Sequence, residues 1–145
     1  MPTLDTETVT EHYLVAALWL GHAFHPEGHP ESDLNPVQLD EFVASIHDLP
    51  EEVWSAARAD VFDFMAHLDS DDVEEYLEAD RHNATPSEQM GHDFYLTRCG
   101  HGAGFWDRGL GELGDRLSEA ARPYGEVSLF GNLGTDGRPG PVYME

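Results

Sequence analysis

The sequence predicts an α+β fold, a helical first half packed with a small C-terminal unit of β-hairpin, helix and strand. Three observations carry this. Apolar residues recur at helical spacing through most of the first half, the recurrence shortens to alternation after Asp93, and a glycine-rich connection accompanies the change. At 145 residues the chain reads as one domain with one hydrophobic core, residues 1–145, with an acidic helical half (1–84) and an α+β half (85–145).

Each element has a local signal. Thr8-Val9-Thr10-Glu11 reads as a capping box, opening a helix to about Leu20 that is apolar on nearly every side, central to the core, with Trp19 packed inside. Gly21 to Asp33 is a loop. Asn35 as N-cap, Pro36 at the first helical position and Leu34 stapled to Leu39 predict a second helix to about His47, with Leu39, Phe42, Val43 and Ile46 inward. Asp48-Leu49-Pro50-Glu51 starts a third, whose inner face takes Val53, Ala57, Val61, Phe64 and Leu68. Asp69 to Asp80 continues it or restarts after a short break.

Thr85-Pro86-Ser87-Glu88 is a further start signal, for a short helical turn that Gly91 ends. Phe94, Leu96 and Arg98 then alternate, as do Phe105 and Asp107, which predicts a hairpin. Leu110 to Tyr124 is a helix closed by Gly125. Val127 to Phe130 is a strand, and Val142 to Met144 pairs back to it.

The formal net charge is −22, from 29 acids against seven Arg and no Lys. It is uneven: residues 1–80 hold twenty acids and one Arg, residues 81–145 nine acids and six Arg, leaving about −19 and −3. Such a field repels nucleic acid and anionic membrane and attracts basic surfaces, including those that normally bind DNA or RNA. A halophilic host or a high-GC genome is the compositional alternative, and it accounts for the missing Lys better than for the segregation of charge. The longest apolar run, Tyr13 to Leu20, is eight residues, far below the roughly 20 that span a bilayer. With no basic, hydrophobic leader and a lone cysteine, a soluble, unexported protein of a reducing cytoplasm is expected.

Three groups of residues are candidates for function. Asp60, Asp63, Asp71, Glu74, Glu75 and Glu78 lie near a 3.6-residue period if the third helix is continuous, forming one negative stripe. Like charges at that spacing oppose helix stability by roughly 0.2–0.5 kcal/mol per pair. The stripe imitates a phosphate row only approximately, because a helical turn advances about 5.4 Å while DNA repeats about every 3.4 Å. A merely solvated face is the alternative. His22, His25 and His29, with Glu27, Glu31 and Asp33 nearby, have ligand chemistry for Zn²⁺ or Ni²⁺. Pro26, Gly28 and Pro30 break any helix that would align those rings, so an exposed His-rich loop is favoured and no resident cofactor is expected.

The third group lies in Gly91-His92-Asp93-Phe94-Tyr95-Leu96-Thr97-Arg98-Cys99-Gly100-His101-Gly102-Ala103-Gly104-Phe105-Trp106-Asp107-Arg108-Gly109. His92, Asp93, His101 and Asp107 offer a general base and its orienting carboxylate, with Arg98 or Arg108 to stabilise an anion. The glycines do not follow a P-loop or dinucleotide spacing. In the structural alternative they supply positive φ in a tight turn, Phe105 and Trp106 fill the core, and Arg98 or Arg108 pairs with Asp93 or Asp107.

This segment, continuing through Tyr124-Gly125, resembles a family of small acidic proteins encoded in bacteriophage genomes. Tyr13-Leu14-Val15-Ala16-Ala17-Leu18-Trp19 supports the likeness more weakly. Those relatives often carry Asn where this chain has Cys99 and Trp where it has Tyr95, which argues against Cys99 as a nucleophile. The resemblance carries over no site residues and implies a phage product acting inside a bacterium. Two functions are expected from these readings. The first is a non-enzymatic phage accessory protein whose acidic half binds a basic host protein, with a DNA mimic as its most specific form. The second is a small enzyme or ligand-binding protein using His92, Asp93, Arg98, His101, Asp107 and Arg108, with or without a metal.

Overall fold

The computed structural model describes residues 3–24, 37–41, 43–79, 84–100, 104–133 and 139–145. Among these residues the α+β architecture has five α-helices: α1 Thr6–Leu20, α2 Glu51–Ala66, α3 Ser70–Glu78, α4 Pro86–Arg98 and α5 Glu112–Ala121. Four strands, β1 His22–Phe24, β2 Val37–Gln38, β3 Leu129–Leu133 and β4 Pro139–Met144, form one sheet in the order β2-β1-β3-β4. β1 runs parallel to β3, with Ala23 opposite Gly131, and the two outer pairings are antiparallel. The sheet therefore takes strands from both halves of the chain. Among the described residues no helix is long and apolar enough to cross a membrane.

The core is aromatic. Tyr13, Phe64, Tyr76, Phe94, Tyr95 and Phe105 are all fully or almost fully buried, and Phe64 stacks on Phe94 with ring centroids 4.0 Å apart. Tyr124 meets both rings edge-on, a geometry that adds to the apolar burial.

α4 corrects the expected hairpin at 94–107. The Thr85 capping box forms as the sequence suggests, Glu88 N–H donating to Thr85 Oγ1 at 3.3 Å and Thr85 N–H to Glu88 Oε1 at 3.4 Å. The helix then runs straight through Gly91 to Arg98. Gly91 is a contact point and not a stop. A Cβ there would lie 2.2 Å from Val9 O and 2.7 Å from Tyr13 N, so only glycine allows α4 to press directly onto the α1 backbone. Met90, Asp93, Phe94, Tyr95, Thr97 and Arg98 are buried, and a helix enclosed on several sides shows no clean amphipathic period.

Among the described residues of 36–47 the second expected helix is also absent. Val37 and Gln38 pair with β1, Leu39 N–H donates to Gly21 O at 2.9 Å, and 3₁₀ turns follow at Leu39–Glu41 and Ile46–Asp48. Leu39 and Val43 are buried all the same, so tertiary pairing overrides the local helix signal. Its proposed cap, Asn35, and its staple residue Leu34 lie outside the described residues. At α1 the start moves back one turn: Asp5 is the N-cap and the Thr8 hydroxyl donates to Asp5 Oδ2 at 2.6 Å. Trp19 is 61% exposed and Trp106 46%, so neither fills the core as expected. A helix apolar all round does not announce which stripe faces out.

Replacing Gly91 by Ala is expected to lower stability by about 1–3 kcal/mol, the usual range for forcing atoms into a packed contact. Urea denaturation reads this directly, and an unchanged midpoint would contradict the close helix crossing.

Candidate functional site

The 91–109 segment is organised around two arginines. Arg98, at the end of α4, is 8% exposed and its guanidinium meets four acceptors. Nε donates to Gly125 O at 2.8 Å, Nη1 to Tyr13 OH at 2.8 Å and to Asp60 Oδ2 at 2.7 Å, and Nη2 to Tyr124 O at 2.9 Å. Arg98 thus joins α4 to α1, to α2 and to the turn after α5. Burial pushes the Tyr13 hydroxyl well above its ordinary pKa, which keeps it a neutral partner for the guanidinium.

Arg108 has the opposite setting. It is exposed, yet its Nε and Nη2 reach Oδ1 of the fully buried Asp93 at 3.0 and 2.8 Å. Between these partners the chain leaves α4 and returns through the 3₁₀ turn Phe105–Asp107. Gly104, at φ 154°, and the Phe105 N–H donating to Thr97 Oγ1 at 3.2 Å fix the return. Phe105 thereby enters the core, and the Asp93–Arg108 pair closes the segment behind it.

His92 packs against His12 of α1. Their Nε2 and Nδ1 atoms lie 3.1 Å apart, so one ring must donate and the other accept. Glu88 Oε2 lies 3.6 Å from His12 Nε2. Burial, then the neighbouring His12 and Arg108, holds His92 below its ordinary value, against a smaller pull from Glu88. Glu88 itself is held below the usual carboxylate range by its bonds to Thr85.

These placements do not bring all six motif candidates to one point. Arg98 lies five positions beyond Asp93, about 140° around a helix at roughly 100° per residue, and its bonds run to α1, α2 and the turn after α5. His92 and Arg108 line one hollow of about 250 Å³ with Val15, Ala16, Trp19 and Leu96. Asp107 is exposed on the 3₁₀ turn, and His101 lies outside the described residues. The Cys99 thiol, at 3.3 Å from Val127 O, is pushed up by burial, the reverse of what a nucleophile needs.

The acidic stripe is also divided. α2 ends at Ala66, and Asp69 caps a separate α3 by accepting from Asp71 N–H at 2.9 Å. Asp60 is bound to Arg98. Asp63 accepts from the Tyr124 hydroxyl, whose pKa burial and this bond push up to about 12. Arg116 of α5 holds Asp72 at 2.9 Å and stands 3.6 Å from Glu75. Asp71, Glu74 and Glu78 are exposed, and among the described residues no cation forms an ion pair with them. His22 sits exposed on β1. His25 and His29 fall outside the described residues, which contain no cluster of three potential ligands able to hold a metal.

Sequence reasoning missed His12 and Tyr13 as partners of the motif, and Asp60 as the ion-pair partner of Arg98. The available signal was Gly91, a glycine inside a helix that presses against α1. Compared with models of known protein families, with the curated proteins and with the solved structures, the chain matches none.

Two outcomes follow from this geometry. Arg108→Met strips a buried carboxylate of its guanidinium and is expected to cost at least about 2 kcal/mol in urea denaturation. Asp93→Asn in the same background should recover part of that, and a negligible loss in the single variant would contradict the pairing. Because His92 resists protonation in the fold, the unfolded chain binds more protons once pH falls below the ordinary imidazole value of 6.5. Stability from this group is therefore intact above that pH and lost progressively below it. His92→Gln should flatten that part of the stability–pH curve, and an identical slope would remove the assignment.

Proposed function

We propose that this chain is a non-enzymatic phage accessory protein that acts in the bacterial cytoplasm by binding a basic surface on a host protein. In its most specific form it is a DNA mimic that occupies a nucleic-acid-binding or defence factor. The observation that carries the reading is the outward face of α3, where Asp71, Glu74 and Glu78 stand exposed without a cation among the described residues. Around them residues 37–79 hold thirteen acids and a single Arg. A field of this sign steers basic partners and repels phosphate. The division into α2 and α3 favours a short carboxylate patch over one long row, so imitation of a nucleic acid would rest on charge density more than on phosphate spacing. The alternative, a small enzyme or ligand-binding protein at the motif, draws support from His92 and Arg108 sharing a hollow.

Capture from a bacterial lysate tests the first reading. Immobilised protein is expected to retain strongly basic proteins at low salt and release them at about 0.5 M, where screening extends only a few ångströms. The triple variant Asp71→Asn, Glu74→Gln, Glu78→Gln should weaken capture at least about tenfold with its melting curve unchanged. Recovery of neutral or acidic proteins only, or undiminished capture by the variant, would count against it and leave the acidity as salt or genome adaptation.

A further inference from the structure

Glu11, Val15 and Trp19 are spaced four residues apart on α1 and form one outward stripe. Val15 is 38% exposed and Trp19 61%, on a helix whose other large side chains are mostly buried. They are not isolated surface residues. On one side Val15 and Trp19 line a hollow of about 380 Å³ with Ala44, Ile46 and Asp40, and on the other the hollow of about 250 Å³ with Leu96 and Arg108. An exposed tryptophan between two apolar depressions is the composition of a binding hot spot.

We propose that this stripe is a docking groove for a cationic amphipathic segment of a protein partner. An apolar anchor would settle beside Trp19 while basic side chains meet Glu11 and Asp40. The inference rests on the proposal that the chain binds a basic protein, and deepens it by locating a contact away from α3. Charge complementarity selects the occupant. Among the described residues neither Glu11 nor Asp40 forms an ion pair, and Arg108, the cation at the far hollow, is balanced by buried Asp93. A second copy would set one chain of −22 against another, and a nucleic acid or anionic membrane would meet the same repulsion.

The test uses two peptides of equal length and charge, one of Leu and Lys in helical amphipathic order, the other with Ser in place of Leu. Both are titrated at low salt by calorimetry and by the protein's tryptophan emission, since neither peptide contains Trp. The Leu–Lys peptide is expected to bind and shift the emission to the blue, and the Ser–Lys peptide to bind at least about tenfold more weakly. Trp19→Ala with Val15→Ser should weaken the Leu–Lys peptide at least about tenfold without lowering the melting midpoint, since both side chains are on the surface. The α3 triple variant should change its binding by less than about threefold. Equal binding of both peptides, or indifference to the Trp19 and Val15 changes, overturns the groove. If binding instead falls with the α3 variant, the groove fails while basic-partner binding stands. Absence of any peptide binding at low salt counts against both. A doubled mass in light scattering that Trp19→Ala abolishes would assign the stripe to a second copy and overturn the proposal.

Discussion

The direct seating of α4 on α1 at Gly91 is the constraint from which most of the structure follows. With no Cβ between the two backbones, the ring centroids of Tyr13 and Phe94 lie 5.4 Å apart, and His12 reaches His92. The same crossing aligns the far end of α4 so that Arg98 reaches Tyr13 on one helix and Asp60 on another. The guanidinium also holds the carbonyls of Tyr124 and Gly125, where the chain leaves α5 for β3. One buried charge thereby sets the relative positions of three helices and the entry to the sheet. Removing it would leave four acceptors short of their donor, which is why such groups specify a unique arrangement as much as they stabilise one.

Four of the seven arginines follow a pattern. Arg58 of α2 sits over Trp54 and stands within 3.4 Å of Glu7 on α1 and 3.2 Å of Glu51. Arg98 links α4 to α2, Arg108 closes the segment that returns from α4, and Arg116 links α5 to α3. Each of these four tethers elements distant in sequence. The exposed pairs contribute little each, commonly below about 1 kcal/mol, whereas the two with a buried partner carry more. With these arginines turned to internal use, the surplus of carboxylates is left to the surface. Composition sets the net charge of −22, and these pairings decide which carboxylates stand without a cation beside them.

Much of the architecture was legible because it depends on local chemistry. The Thr85 capping box, the inner face of α2 from Val53 to Phe64, the Gly125 stop at φ 74° and the terminal strands all rest on neighbours close in sequence. α4 was not legible, for two physical reasons. Burial on several sides erases the amphipathic period, and a glycine that permits close approach looks identical to one that ends a helix. The segment from Leu34 to His47 carries a sound helix signal, yet Leu39 and Val43 are buried without that helix, once Val37 and Gln38 pair with β1 and 3₁₀ turns follow. At the site, pairing of an arginine with Asp93 was among the readings open to sequence. The Arg98–Asp60 pair spans 38 residues and the His12–His92 contact 80, and both require knowing how α1, α2 and α4 cross.

The organising role of Arg98 is measured most directly by a double-mutant cycle on stability, with Asp60→Asn, Arg98→Met and the two combined. A coupling energy on the order of 1–3 kcal/mol is expected for a charged pair that shares a buried network. Strictly additive losses, with coupling below about 0.3 kcal/mol, would mean that the guanidinium does not bind α2 to α4 in solution.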